Sequence, residues 1–189
     1  MRPLISFALF LASPAALAGS KVGAQASINV TGKKQLSDAT DLGVAGILFL
    51  TPKNDPMYFH YLGPGVLVTS RWWVSPRVGL VLNWNDPDGS TPMGSLWQFV
   101  SVAGGKLTFF VETTVLHVND HADYLGVYQA DMRADWMNVG AHLEQVNDGI
   151  TVGPHAGVKL SEHLSTSVQY HLDMNGGHAV RAVLSTKLN

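Results

Sequence analysis

The stretch Ile150-Thr151-Val152-Gly153-Pro154-His155-Ala156-Gly157-Val158-Lys159-Leu160-Ser161 decides the fold. Ile150, Val152, Ala156, Val158 and Leu160 fall on one parity, and Thr151, His155, Lys159 and Ser161 on the other. Successive side chains of a strand point to opposite faces, so this segment predicts a strand with one apolar and one polar side. The same alternation runs through successive segments from Asn138 to Leu188. A soluble sandwich and a membrane barrel both satisfy it.

The amino-terminal residues bear on that choice. Arg2 is followed by the apolar run Leu4 to Ala12 and then by Ala16-Leu17-Ala18, which reads as a secretory signal peptide over residues 1–18, cleaved before Gly19. Its core is too short to span a bilayer as a helix. Every later apolar run is cut by Gly, Pro or a charge before it reaches the roughly twenty residues a spanning helix needs. The mature chain is therefore expected to be exported, and any further membrane crossing falls to strands. The absence of cysteine excludes a disulfide framework and a thiolate metal site. A net charge of -2 supplies no basic footprint, so no nucleic acid partner is expected. A length of 189 residues fits one folded domain.

Residues 19–41 read as a polar amino-terminal arm or linker, with a stray strand at Ser27 to Val30. From Leu42 to Asn189 the chain breaks into about ten strand-length segments at the spacing of an all-β protein. The spans are 42–51, 64–74, 77–84, 95–103, 106–118, 124–133, 136–145, 150–160, 164–173 and 178–188. Short connections (Ser75-Pro76, Gly104-Gly105, Ala134-Asp135, Ser161 to His163) alternate with longer ones rich in Asn, Asp and Gly (Pro52 to Gly63, Asn85 to Gly94, Asn119 to Asp123, Val146 to Gly149, Met174 to Gly177). In an up-and-down barrel alternate connections share an end, and outer-membrane barrels have short periplasmic turns and longer outer loops. Trp and Tyr gather where lipid meets water. Tyr58, Tyr61, Trp84, Trp97 and Tyr124 are expected at the outer end of the strands, and Trp72, Trp73 and Trp136 at the periplasmic end. Pro64 and Pro154 lack a ladder donor and are expected near a rim or bulge.

The signal peptide, the amphipathic strands, the alternating connections and the paired aromatic belts together resemble a small bacterial outer-membrane β-barrel. The resemblance covers residues 42–189 and rests on general pattern. It implies an up-and-down antiparallel transmembrane barrel of about ten strands, with eight as the alternative count. It also implies outer-membrane lipids and the barrel assembly machinery as partners. Such proteins usually end in an aromatic residue, typically Phe, whereas this chain ends Lys187-Leu188-Asn189.

With the apolar face outward, the polar parity lines the lumen. The expected lumen cluster is Glu112, Asp131, Arg133, His142, Glu144, His155, Lys159, His171, Asp173 and Arg181, accompanied by Gln129, Gln169 and Lys187. Both signs of charge are interleaved, which suits mutual pairing in a filled interior and equally suits a narrow water-filled pore. His142-x-Glu144 shares a face, and a hairpin centred near Asn147-Asp148 brings His155 roughly opposite His142. That trio is the sharpest site candidate, although the spacing arises on any polar sheet face. Asn85 to Gly89 and Asn119 to Asp123 could hold calcium, but Asx and Gly are also the ordinary turn formers. His163-x-Ser165 resembles the His and Ser pair of barrel enzymes that trim lipid A, in two residue types only. No metal, cofactor or catalytic residue is expected. The leading expectation is a non-enzymatic outer-membrane protein, either a narrow passive channel for small ions or solutes or a structural or surface-interaction barrel. The alternatives are a membrane-embedded lipid-modifying enzyme and a soluble periplasmic β-barrel that binds a small apolar ligand.

Overall fold

The computed structural model describes residues 22–51, 56–83, 86–118 and 121–188. Segment 1–18, read above as a signal peptide, lies outside them, as does Trp84. The strands are β1 (Val22–Gln35), β2 (Thr40–Leu50), β3 (Met57–Thr69), β4 (Trp72–Asn83), β5 (Asp86–Val102) and β6 (Leu107–Val118). There follow β7 (His121–Arg133), β8 (Met137–Val146), β9 (Gly149–Lys159), β10 (Leu164–Asp173) and β11 (His178–Leu188). They close into a barrel in the order β1-β11-β10-β9-β8-β7-β6-β5-β4-β3-β2. Neighbours are antiparallel throughout except at one seam, where β1 runs parallel to β11 from Val22↔His178 to Gly32↔Leu188.

The all-β reading and the closed barrel hold, with an eleventh strand added. That strand comes from the segment read as a polar arm: β1 pairs with β2 from Ala26↔Leu50 to Gln35↔Asp41. Its composition is polar because its inward parity carries Gln25, Ser27, Asn29, Thr31 and Lys33. An odd strand count forces the parallel seam, since an up-and-down chain of eleven strands ends in the direction it began.

The second correction concerns Ser75-Pro76, which is no turn. Strand β4 runs straight through it, and the turn between β3 and β4 is residues 70–71. The β3–β4 ladder skips from Leu62↔Val78 to Val66↔Val74, so Pro64 and Pro76 face each other's strands where β3 and β4 make no pairing, while each pairs on its other side, with Leu42 and Leu96. The Ser75 hydroxyl instead donates to the Pro64 carbonyl at 2.7 Å. Gly63 makes the close approach feasible, because a Cβ there would lie 2.8 Å from the Arg77 Cα. Pro154 occupies a similar break, where the β9–β10 ladder skips from Gln169↔His155 to Leu172↔Val152. Pro64 and Pro154, expected near a rim or bulge, thus lie inside strands, at irregularities of a ladder.

The connections fall at two rims. The lower rim holds 36–39, 70–71, 103–106, 134–136 and 160–163, and the upper rim holds 147–148 and 174–177 together with the strand ends Leu50 and Met57, Asn83 and Asp86, and Val118 and His121. Both sets are short, so the expected contrast in loop length is absent. Residues assigned to long loops are strand: 57–63 belong to β3 and 86–94 to β5. At the lower rim Ala103, Gly104 and Gly105 all take positive φ, a run that two glycines make accessible.

The barrel wall is a single layer, and its two faces are chemically opposite. Outward lie Leu42, Val44, Leu62, Val66, Val78, Leu80, Leu96, Phe109, Val115, Met132, Leu172 and Leu184, with Val78 68% exposed. Inward lie buried Asp41, Ser75, Arg77, Thr108, Glu112, Thr114, Asp131, His142, His155, His171 and Arg181. The aromatic assignment divides accordingly. Trp72 and Trp136 are exposed at the lower rim, whereas Tyr61 (3% exposed) and Trp97 (8%) point into the lumen and belong to no outer belt. Trp73 also faces inward, packed against the apolar lumen cluster of Ala45, Tyr61, Val81, Met93 and Trp97.

Candidate functional site

The lumen has a polar half, built by β7 to β11 with β1, and an apolar half, built by β2 to β6. In the polar half, alternate positions of β8 send His142 and Glu144 inward together. The register sets His142 opposite Gly153 and His155 opposite Gly140, so the two histidines are diagonal rather than opposite. Glycine partners make room for the rings: a Cβ on Gly140 would lie 2.8 Å from the His155 Nε2. The two imidazole centroids are 5.7 Å apart.

Strand β7 anchors the lower part of this half. His155 Nε2 donates to Asp131 Oδ1 at 2.6 Å, and Asn138 donates to the same oxygen at 2.8 Å. Gln129 donates to Oδ2 at 3.1 Å. A buried carboxylate so supplied with donors is satisfied rather than stranded. Strand β10 contributes His171, whose Nδ1 lies 3.2 Å from His142 Nε2 and 3.9 Å from Glu144 Oε2. Glu144 is gripped by both terminal nitrogens of Arg181, Nη2 at 3.0 Å from Oε2. Arg181 Nε donates to Gln25 Oε1 on β1 at 3.0 Å, and the guanidinium stacks 4.5 Å from the Phe49 ring centroid. The first strand is thereby tied to the polar network.

In the apolar half a second buried carboxylate, Glu112 on β6, accepts from Tyr61 at 2.8 Å and from Thr114 at 2.9 Å. Arg77 lies with its guanidinium carbon 3.9 Å from the Trp97 ring centroid, a cation–π contact out of water. Its Nε donates to Ser75 at 3.1 Å. Trp73 Nε1 donates to Asp41 at 3.3 Å, and Lys33 reaches the same carboxylate at 3.8 Å.

Of the residues expected in the lumen, Glu112, Asp131, His142, His155, His171 and Arg181 are buried, and Glu144 is largely so. Arg133 stands at the lower rim, its side chain 46% exposed, 3.9 Å from Asp131. Lys159 ends β9 at the same rim and is exposed. Asp173 ends β10 at the upper rim and accepts the Asn175 backbone N–H at 2.7 Å, which closes a turn. The side chains of segment 85–89, Asn119 and Asp120 lie outside those described, while Asp123 accepts from Asn147 at 2.8 Å. His163 bonds through its backbone, to Ser161 and Lys187. The sequence reading overlooked Asp41, Tyr61, Arg77, Trp97 and Gln25. Parity in Asp41-x-Gly43-x-Ala45 and in Ser75-x-Arg77 could have found two of them, had β3 and β4 been cut at 70–71.

Among the described residues no group of three or more His, Asp or Glu side chains is arranged to hold a metal ion. The interior groups can keep charges apart from water, tie distant strands together and hold or pass protons. Compared with known proteins, the chain matches no family model and no curated protein sequence.

Proposed function

We propose that this protein is a non-enzymatic bacterial outer-membrane β-barrel whose lumen is filled by its own side chains, serving as a structural or surface-interaction barrel. The observation that carries the reading is the reversal of polarity across the wall. Val78, Leu80, Val115, Met132 and Leu184 face outward and are exposed, while four carboxylates and two guanidiniums are turned inward. In water such a surface would be an aggregation hazard; in lipid it is the ordinary exterior of a barrel. The leader-like residues 1–18 supply a route of export, and lipids and the assembly machinery are the partners that follow.

A filled interior is supported by two ties that cross the lumen, Tyr61 to Glu112 and Arg181 to Glu144. Each joins strands separated by two others. The test combines fractionation with electrophysiology. The protein is expected in the detergent-released membrane fraction, to migrate differently on gels before and after heating, and to pass no K⁺ or Cl⁻ current in planar bilayers. Recovery as a soluble periplasmic protein would overturn the membrane reading, and a steady ion current would replace the filled barrel with a narrow channel.

A further inference from the structure

We infer that the lower rim is a recognition surface for anionic phospholipid headgroups, an inference that rests on the reading of a membrane-spanning barrel. Its basis is a ring of six cations. Lys33, Arg71, Lys106, Arg133 and Lys159 stand one at each of the five lower connections, and Lys187 stands at the lower end of β11. All six are exposed. Every described Lys or Arg that is not buried in the lumen lies at this rim, since Lys34 stands beside Lys33. The upper rim is the reverse: among the described residues it carries Asp123, Asp148 and Asp173 and no Lys or Arg.

The ring is only partly neutralised by the protein itself. Lys33 lies 3.8 Å from Asp41 and Arg133 lies 3.9 Å from Asp131, and both carboxylates already have closer donors. Among the described residues Arg71, Lys106, Lys159 and Lys187 form no ion pair. The rim exposes three carboxylates, Asp38, Asp135 and Glu162, against seven cations. A surface with such an excess of one sign attracts the other.

Two features choose the partner. The cations are spread round the whole circumference, one at each lower connection, rather than gathered on one side. A folded protein would touch an arc of such a ring, whereas a bilayer surface surrounds it. Neighbouring strands lie roughly 4.7–4.9 Å apart, so cations two strands apart are separated by on the order of 10 Å. Their long side chains can each reach a headgroup of their own. Secondly, exposed Trp72, Trp136, Leu36 and Leu160 occupy the same rim. Trp prefers the boundary of lipid and water, so this level is the one at which headgroups meet the wall. An anionic leaflet attracts Lys and Arg there, over a Debye length of about 8 Å at physiological salt. The acidic upper rim repels the same headgroups, and the barrel thereby distinguishes one leaflet from the other.

The experiment folds the full mature chain into phosphatidylcholine vesicles that carry a trace of spin-labelled lipid, and reads the fraction of label immobilised at the protein surface. Spin-labelled phosphatidylglycerol is expected to associate several times more strongly than spin-labelled phosphatidylcholine, and high salt should erase the difference. Arg71→Gln, Lys106→Gln, Lys159→Gln and Lys187→Gln together should cut the preference by at least half. They spare the two cations that touch buried carboxylates. Arg71→Lys with Lys106→Arg, Lys159→Arg and Lys187→Arg should retain it, and Asp148→Asn at the upper rim should not lower it. Heat-modifiable migration checks folding, and Lys159→Gln with Lys187→Gln serves if the fourfold variant does not insert. Equal association of the two lipids with a folded wild-type barrel, or full preference in the folded glutamine variant, overturns the ring and leaves the membrane barrel standing. Inorganic phosphate that abolishes the preference at constant ionic strength replaces the headgroup with a free anion. Poly-L-glutamate that binds the barrel, with no preference between the lipids, replaces it with an acidic polypeptide. A chain that stays soluble overturns the membrane reading itself.

Discussion

Arg181 on β11 grips Glu144 on β8 through both terminal nitrogens, across a lumen in which β9 and β10 lie between them. The pair works as a strut between walls rather than as a bond between neighbours. Glu144→Gln removes the charge that compensates a buried guanidinium and is expected to cost about 3–5 kcal/mol. The drop should be visible as a lower temperature of heat modification. Replacing both partners, as Glu144→Leu with Arg181→Met, should recover much of the loss, because no charge is then left without a partner.

The second strut reads out separately. Tyr61→Phe removes a donor from buried Glu112 and leaves it the Thr114 hydroxyl at 2.9 Å. A hydrogen bond to a charged group contributes about 1.5–3 kcal/mol, so that loss is expected in denaturant unfolding. Thr114→Val should cost less, since Tyr61 remains.

The outer wall gives a test that depends on lipid. Val78→Arg and Leu184→Arg place a charge on the exposed apolar face and should destabilise the barrel by about 2–4 kcal/mol if they lie near the bilayer midplane. Unfolding titrations in vesicles measure this. Equal stability of the wild type and both variants would mean that this face is not in lipid.

Gly65 offers a test of packing inside the lumen. A Cβ there would lie 2.5 Å from the Trp73 Nε1 and 2.6 Å from another atom of that indole ring. Gly65→Ala should push the indole away from Asp41 and cost about 1–3 kcal/mol, as overpacking does. Quenching of Trp73 fluorescence by added iodide should rise in the variant.

The parallel seam can be fixed chemically. Ala26 and Ala182 are register partners across it. The double variant Ala26→Cys, Ala182→Cys should oxidise to one intramolecular cross-link, because paired strands bring Cα atoms within disulfide range. Failure to cross-link in a folded, heat-modifiable barrel would place β1 outside the wall.

The carboxyl-terminal strands were legible because each alternates cleanly and is bounded by turn residues; β7 to β11 begin and end within a few residues of the expected positions. The amino-terminal half misled for two physical reasons. Proline usually ends a strand, yet Pro64 and Pro76 share one gap in one ladder and so interrupt neither strand. β1 alternates too, Ala24, Ala26, Ile28 and Val30 against Gln25, Ser27, Asn29 and Thr31, but two of those four apolar residues are alanines, so the hydrophobic contrast is weak. The lumen residues of β7 to β11 followed from parity alone. Their pairing did not: parity says which face Glu112 occupies, but not that Tyr61, three strands away in the order of the wall, will reach it.

The seam between β1 and β11 also fixes the order in which the barrel can form. Every other ladder joins strands adjacent in the chain, with close sequence spacing, and can form as a local hairpin. The seam joins residues 22–32 to 178–188, the longest loop closure in the molecule, and must wait for both. Folding is therefore expected to show a fast gain of strand signal followed by a slower closing phase, since distant pairings set the rate. During that interval the chain is a curved sheet with two unpaired edges, each a template for another chain. Raising the protein concentration should then divert chains to multimers without changing the fast phase, and the Ala26–Ala182 cross-link, formed beforehand, should abolish the slow one.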